Sequence, residues 1–425
     1  MTNFYDEFEA RGLVHSASDG AREALGAGPV TAYIGFDPTA ASLHVGSLLP
    51  ILALARLQRA GHRPIPLVGG GTGMIGDPSG KTVERQLLTR AQVEENVEGL
   101  RRQLARFLDF DGPNAARLID NHEWLGSLGL LEFLRDIGKH FTVNYMLAKE
   151  SVARRVEQEE GISYTEFAYM LLQAYDFLVL SDRHGCTMQL GGSDQWGNIT
   201  AGIELIRRMR GRRVHGMVMP LVTTTSGVKF GKTEAGTIWL DPALTSPFRF
   251  YQFWLNTEDA DADRYLEHFT FLPLPEIAGV MAAQSGNPAA RVAQRRLAEE
   301  VTRLVHGSEG LERAERATGV LFGNRDVHEL NAAELLDVFA DVPSTALARD
   351  RLSGEGMPLP DLLAETRVAS SKSDARRLVT GGGVYLNGER IAAVERRVRA
   401  EDAIDGEVLV LRRGRKDNHV IRLVG

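Results

Sequence analysis

His44-Val45-Gly46-Ser47, between the strand-like run 30–36 and the apolar helical run 48–57, is the stretch whose reading decides the fold. A strand that ends where a helix begins presents unpaired backbone N–H groups and the positive end of a helix dipole, a setting that favours phosphate. His44 can donate a hydrogen bond to a phosphate oxygen, and Gly46 lets the backbone approach a flat ligand closely. Far downstream, Lys229-Phe230-Gly231-Lys232-Thr233 places two cations beside a glycine. Read together, the two stretches predict a two-part holder for a nucleoside triphosphate.

Working outward, the first 220 residues alternate between two kinds of segment. Runs 31–36, 64–68, 116–119 and 186–190 are short, apolar and bounded by turn residues, as strands are; 90–108 and 163–180 carry helical periodicity. Such alternation predicts an α/β domain with a mostly parallel sheet covered by helices and ligands at the carboxyl ends of the strands. Residues 247–322 turn helical, and 324–355 read as an irregular connector containing Pro343 and Gly354. The tail reads as two short helices at 359–365 and 371–380, then Gly381-Gly382-Gly383. A hairpin follows, with strands 384–386 and 389–391 about Asn387-Gly388. The expected division is 1–228, 229–325, a linker over 326–354, and a small α+β module over 355–425.

A chain of 425 residues has room for two or three domains with sizeable cores. Its 43% apolar and 25% charged residues are ordinary for a soluble globular protein. No apolar run reaches the roughly 18 residues of a membrane span, and Met1-Thr2-Asn3-Phe4-Tyr5-Asp6-Glu7 lacks the basic and apolar blocks of a secretory signal. The lone Cys186 excludes a disulfide framework and a thiolate zinc cluster. The expectation is a cytoplasmic protein with no membrane partner, no zinc and no other metal ligand set. The net charge of −7 hides an asymmetry: residues 355–425 hold 13 basic against 11 acidic side chains, which leaves −9 on the remainder. A mildly basic tail on an acidic body points to an anion such as RNA met at the tail.

Two glycine-rich matches mislead. Gly71-Thr72-Gly73-Met74-Ile75-Gly76 fits the dinucleotide fingerprint, but Pro78 disfavours helical geometry at Asp77, where the required helix should run, so no NAD site is expected. Residues 76–82 resemble a phosphate-binding P-loop, yet the spacing from Gly76 to Gly80-Lys81 is one residue short. The run reads as a loop that lines a ligand.

The first stretch resembles the "HIGH" signature and the second the "KMSKS" signature of class I aminoacyl-tRNA synthetases. Three further stretches narrow the resemblance to the bacterial tyrosyl-tRNA synthetases: Tyr33-Ile34-Gly35-Phe36-Asp37-Pro38-Thr39, Tyr169-Met170-Leu171-Leu172-Gln173-Ala174-Tyr175-Asp176, and Gly191-Gly192-Ser193-Asp194-Gln195-Trp196-Gly197-Asn198. The resemblance spans nearly the whole chain. It implies a Rossmann-like catalytic domain, an α-helical domain on the anticodon side and an S4-like RNA-binding module. It also implies a homodimer that activates L-tyrosine with ATP and Mg²⁺ to tyrosyl-adenylate, releases pyrophosphate, and transfers tyrosine to the 3′ end of tRNA(Tyr).

The resemblance also implies roles. Tyr169 and Gln173, four apart on one helix face, hold the α-amino group with help from Asp77, and Gln195 lies near the substrate carboxylate. Tyr33 and Asp176 bind the phenolic hydroxyl; left unpaired by phenylalanine, they reject it, a discrimination for which this family is itself a stock illustration. Asp37, Gly46, Ser47, Gly192 and Asp194 belong to the ATP side, the last two near the ribose. Thr39 and His44 meet the γ-phosphate, while Lys81, Arg85, Lys229 and Lys232, with Thr233, gather about the departing pyrophosphate. In the tail, Ser371 caps a helix whose Lys372, Arg376 and Arg377 contact an RNA backbone. The chain departs from the general signatures at Ser47, which replaces a second histidine, and at Phe230-Gly231, which replace Met-Ser. Pro50 falls early in its helix, where a missing N–H costs little. Three rivals are a tryptophanyl-tRNA synthetase, a small nucleotidylyltransferase and a catalytically silent RNA-binding protein. Tyr33 with Asp176 and the S4-like tail oppose the first, length and tail the second, and the complete set of pocket residues the third.

Overall fold

The computed structural model describes residues 3–79, 88–157, 161–225, 230–233, 236–322, 325–414 and 417–425; the side chains of residues 150, 151, 232 and 233 fall outside that description. The chain divides into two compact units, residues 1–245 with 254–305, and residues 246–253 with 306–425.

The first unit is built on a six-stranded sheet of β1 (Ser16–Ala17), β2 (Thr31–Phe36), β3 (Arg63–Val68), β4 (Ile119–Asp120), β5 (Met188–Gly192) and β6 (His215–Met219), in the order β1-β6-β5-β2-β3-β4. Only the β1–β6 pair is antiparallel. The central strands are near-continuous apolar runs because both faces of a parallel sheet are covered. Pro64 and Pro66 are tolerated inside β3 because β4 pairs only with Leu67 and Val68, so no ladder bond is asked of the missing N–H groups. That late start also shortens the strand expected at 116–119.

Helix α1 (Leu48–Arg59) follows the His44–Ser47 stretch, and ten of its twelve residues are buried, so it is a core helix without a polar face. Its last turn carries Arg56, only 2% exposed, whose guanidinium donates to the carbonyls of His268 (3.0 Å), Glu267 (3.2 Å) and Thr270. These carbonyls lie at and just beyond the end of another helix, Asp259–Phe269, where orphan acceptors and the negative dipole end favour a cation. Arg11 adds bonds to the Glu267 and Leu272 carbonyls. Burial still pushes the Arg56 pKa down to about 9. Helix α2 (Tyr164–His184) starts at a Ser163 cap and ends on Gly185 at φ 63°, a left-handed stop, four residues beyond the run read from periodicity.

The second unit holds a five-stranded sheet of β7 (Ser344–Ala348), β8 (Val384–Leu386), β9 (Glu389–Ile391), β10 (Val408–Arg413) and β11 (Asp417–Val424), in the order β9-β8-β10-β11-β7. Asn387 and Gly388 take φ 47° and 85°, the two positive angles that a two-residue hairpin turn requires. Helices Leu359–Glu365 and Lys372–Thr380 pack on this sheet through Leu362, Leu363, Ala375 and Val379.

These boundaries differ from the expected ones in two ways. The stretch 326–354 is not a bare linker: it forms the helix Ala332–Val338, with an Asn331/Glu334 capping box, and strand β7, which pairs in parallel with β11. β7 escapes a pattern search because its paired residues lie 76 positions downstream and Leu347 alone among its residues is buried. The helical region 247–322 also does not follow one unit. Within the helical stretch Val292–Leu321, Gly307 breaks the helix with φ 74° and ψ 179°, and the division between the units falls beside it. Among the described residues no helix is long and apolar enough to cross a membrane.

Arg56→Met should lower unfolding stability by about 2–4 kcal/mol, since it strips buried carbonyls of their donor. Urea denaturation of the variant checks this.

Candidate active site

In this sheet the strand order reverses between β2 and β5, which opens a crevice at their carboxyl ends. The residues that follow each strand enter it: Asp37 after β2, Gly69 after β3, Asn121 after β4, and Gly192 at the end of β5. A cavity of about 280 Å³ occupies the crevice and runs from Tyr33 and Asp176 to His44 and Ser47.

The closed end is built around a buried acid. Asp176 is 2% exposed; its Oδ1 accepts from the Trp124 indole N–H at 2.7 Å and its Oδ2 from the Asn121 amide at 2.9 Å. Burial raises its pKa to about 7, against the pull of those two hydrogen bonds. Beside it, the Tyr33 phenol is 1% exposed and its Oη has no hydrogen-bond partner among the described residues. Burial, then the Asp176 charge, drive the Tyr33 pKa well above the ordinary tyrosine value, so it remains a hydroxyl donor.

Farther along α2, the Tyr169 hydroxyl donates to Asp37 Oδ2 at 3.0 Å, and Thr72 Oγ1 donates to Asp37 Oδ1 at 2.9 Å. Asp37, expected on the ATP side, is thus bonded to Tyr169 and Thr72. Gln173 Nε2 donates to Gln195 Oε1 at 3.2 Å, and Gln195 Nε2 to Asp77 Oδ2 at 2.7 Å. Asn198 bridges Gln173 and Gln195. Asp37, Asp77 and the glutamines thus bring several acceptor oxygens to one place, which suits an ammonium group.

The glycine-rich loop after β3 has another task than phosphate binding. Gly70 N–H donates to Asp120 Oδ1 at 3.1 Å and Gly71 N–H to Asn121 Oδ1 at 2.8 Å. An added Cβ at Gly69 would lie 2.3 Å from Asp37 Oδ1. The loop is bare so that it can pack against the carboxylates and amide of the crevice.

On the opposite side, His44 is the N-cap of a 3-10 turn (Val45–Ser47) that leads into α1. Its Nδ1 accepts the Gly46 N–H at 2.9 Å, which places the ring proton on Nε2. The Gly46 N–H is thus engaged by His44, and the reason for glycine is the ring itself: a Cβ there would lie 2.6 Å from His44 Cε1. Ser47 and Thr39 line the same cavity, as do Gly192 and Gln195, while Asp194 adjoins it in the turn after β5, an added Gly192 Cβ lying 2.7 Å from its Oδ1.

The second signature meets the first directly. Gly231, at φ 79°, lies so close to Val45 that a Cβ would be 2.6 Å from Val45 Cγ2. Ile238 N–H donates to the Gly231 carbonyl at 3.1 Å, and Val45 N–H to the Ile238 carbonyl at 3.0 Å. Phe230 is buried and stacked on Phe269 at 5.2 Å. Lys81, Arg85 and Lys229 lie outside the described residues; the backbone of Lys232–Thr233 pairs with Gly236–Thr237, and those two side chains are also outside the description.

In the second unit, Ser371 Oγ accepts the Asp374 N–H and caps its helix as expected. Lys372, Arg376 and Arg377 are exposed; Lys372 pairs with Asp361 at 3.0 Å and Arg377 with Asp374 at 2.8 Å, contacts that solvent renders weak.

Thr72, Asn121 and Trp124 were not legible as site residues. Thr72 lay within the false dinucleotide match, and the turn 121–124 after β4 carried only the weak signal of polar residues at a strand end.

A crevice of this topology, flanked by two signatures in contact, defines a Rossmann-like nucleotide-activating domain. The family model described as tRNA synthetases class I (W and Y) matches residues 26–323, and the chain belongs to that class. The Tyrosine--tRNA ligase SYY-like C-terminal domain matches residues 334–421. Over all 425 residues the chain is 57% identical to the tyrosine–tRNA ligase of Roseiflexus castenholzii, with 100% of both chains covered. It is 50% identical to that of Anaeromyxobacter dehalogenans strain 2CP-1, again with 100% of each covered. Among solved structures, a C-terminally truncated mitochondrial tyrosyl-tRNA synthetase of Aspergillus nidulans matches with TM-score 0.67 and 33% identity, covering 76% of this chain and 95% of that one. Within its class, the chain is a member of the tyrosine–tRNA ligase family.

Because the Asp176 pKa is raised in the fold from 3.8 to about 7, its stabilising contribution is present below 3.8 and is lost as pH rises through 7. Asp176→Ala should therefore become less destabilising relative to wild type across that window. Urea melts at several pH values test this, and a difference independent of pH would contradict it.

Proposed function

We propose that the chain charges tRNA(Tyr) with L-tyrosine in two steps at this crevice, and that Tyr33 and Asp176 select the amino acid. The observation that carries this reading is the pairing of an unpartnered buried phenol with a buried carboxylate at the closed end of the cavity. A substrate hydroxyl accepts from Tyr33 and donates to Asp176, while phenylalanine leaves both unsatisfied. Asp37 and Asp77, with Tyr169, Gln173 and Gln195, receive the ammonium and carboxylate groups.

ATP enters as its Mg²⁺ salt. A carboxylate oxygen of tyrosine attacks the α-phosphorus; the bond to the bridging oxygen breaks and pyrophosphate departs. A ribose hydroxyl of the terminal adenosine of the tRNA then attacks the acyl carbon, and AMP leaves. No side chain acts as nucleophile, so the protein contributes positioning and stabilisation of phosphate charge. The His44 Nε2–H, Thr39, Lys81, Arg85, Lys229, Lys232 and Thr233 serve the phosphates, and Ser47, Gly192 and Asp194 the nucleoside.

The C-terminal unit, with Lys372, Arg376 and Arg377 on its helix, acts as an S4-type RNA-binding module. A homodimer forms through the apolar surface of the first unit, where Leu130, Leu131, Val143 and Tyr164 are 60–81% exposed. The enzyme works in the cytoplasm.

Tyrosine-dependent ATP–pyrophosphate exchange should proceed with tyrosine and fail with tryptophan and phenylalanine; exchange with tryptophan alone would overturn the assignment. His44→Ala should slow adenylate formation by about 100-fold, near 2.7 kcal/mol, and leave tyrosine affinity within about twofold. Alanine at Lys372, Arg376 and Arg377 together should spare exchange and raise the KM for tRNA, measured by charging assays.

A further inference from the structure

One helix makes contacts with residues on both sides of 226–229. We label it α3 (Asp259–Phe269). On the upstream side, Asp261, 1% exposed, accepts the Thr225 N–H at 3.1 Å and the Thr225 hydroxyl at 3.2 Å on Oδ2. Its Oδ1 accepts from Arg264 at 2.6 Å. Arg264 also donates to the Thr223 carbonyl at 2.6 Å, and the Tyr265 hydroxyl donates to the same carbonyl at 3.3 Å. On the downstream side, Phe230 packs against Tyr265 and Phe269, each with ring centroids 5.2 Å apart, and against Trp254 at 5.7 Å.

Residues 261, 264 or 265, and 269 recur every three to four positions, so a single face of α3 makes these contacts. The far end of α3 is fastened by Arg56 to α1, the helix into which the His44-capped turn leads. Gly231 closes the circuit by packing on Val45. A carboxylate as buried as that of Asp261 is tolerated only when its oxygens are satisfied, and here they are taken by Arg264 and the backbone and hydroxyl of Thr225.

We infer that α3 sets where residues 223–225 and 230–231, the flanks of the second signature, stand relative to the His44 turn, and that Asp261 is a positioning residue for adenylate formation. It acts through Thr225 and touches no substrate. The inference rests on the reading that Lys229 and Lys232 act on the departing pyrophosphate.

The test uses the full chain and reads tyrosine-dependent pyrophosphate exchange beside equilibrium tyrosine binding, for Asp261→Ala, Asp261→Asn, Thr225→Val and Lys232→Ala. Asp261→Ala should lower kcat about tenfold or more while the tyrosine Kd stays within about twofold. Asp261→Asn should recover part of the rate, because its amide oxygen still accepts from Thr225. Thr225→Val, which removes only the hydroxyl, should cost about threefold, and it decides the matter if Asp261→Ala fails to fold. A kcat within about twofold of wild type, or a tyrosine Kd that worsens in proportion to the rate, would overturn the inference. A slow Lys232→Ala beside a normal Asp261→Ala sinks only the positioning role. A normal Lys232→Ala sinks the reading beneath it.

Discussion

The site depends on a topological constraint, the reversal of strand order between β2 and β5. Parallel strands all end on the same edge, and the reversal sends the connecting segments away from each other there, so a crevice opens. Each strand then delivers a polar or bare residue to one place: Asp37, Gly69, Asn121 and Gly192. Helix α2 lies along the crevice and contributes Tyr169, Gln173 and Asp176 from one face. The packing beneath is apolar and close, which leaves the site's polar groups to find partners only among themselves or in a ligand.

In the proposed reading, that shortage of partners is the source of selectivity. Asp176 satisfies both oxygens through Trp124 and Asn121, yet burial leaves it a reluctant anion. Tyr33 has no such support. A ligand hydroxyl placed between them relieves both, and a ligand without one leaves the cost of burial standing. At the other end, His44 is pinned by the Gly46 N–H on Nδ1, which leaves its ring proton on Nε2.

Much of this was legible along the chain because the spacing was local. Tyr169, Gln173 and Asp176 could be placed on one face from their intervals alone, and the His44 stretch could be read as a strand-to-helix junction. Thr72, Asn121 and Trp124 could not, since their partners are 35 to 55 residues away. Phe230 and Gly231 looked like departures from a signature; in the fold, Phe230 fills an aromatic cluster and Gly231 makes room for Val45. The stretch 326–354 read as a connector because β7 draws its stability from β11, not from its own pattern.

By itself, the sequence determined the alternation of strands and helices, the two signatures, the helical face shared by Tyr169, Gln173 and Asp176, and the hairpin at Asn387-Gly388. These are properties of neighbours three or four residues apart, or of turn geometry, and local sterics enforce them. Only the tertiary structure decided which donors hold Asp176, that Asp37 accepts from Tyr169, that Gly46 makes room for the His44 ring, and that α3 packs against Phe230. Those arrangements depend on hydrogen bonds and contacts between residues far apart in the chain, whose meeting is set by sheet order and close packing, and no local pattern encodes them.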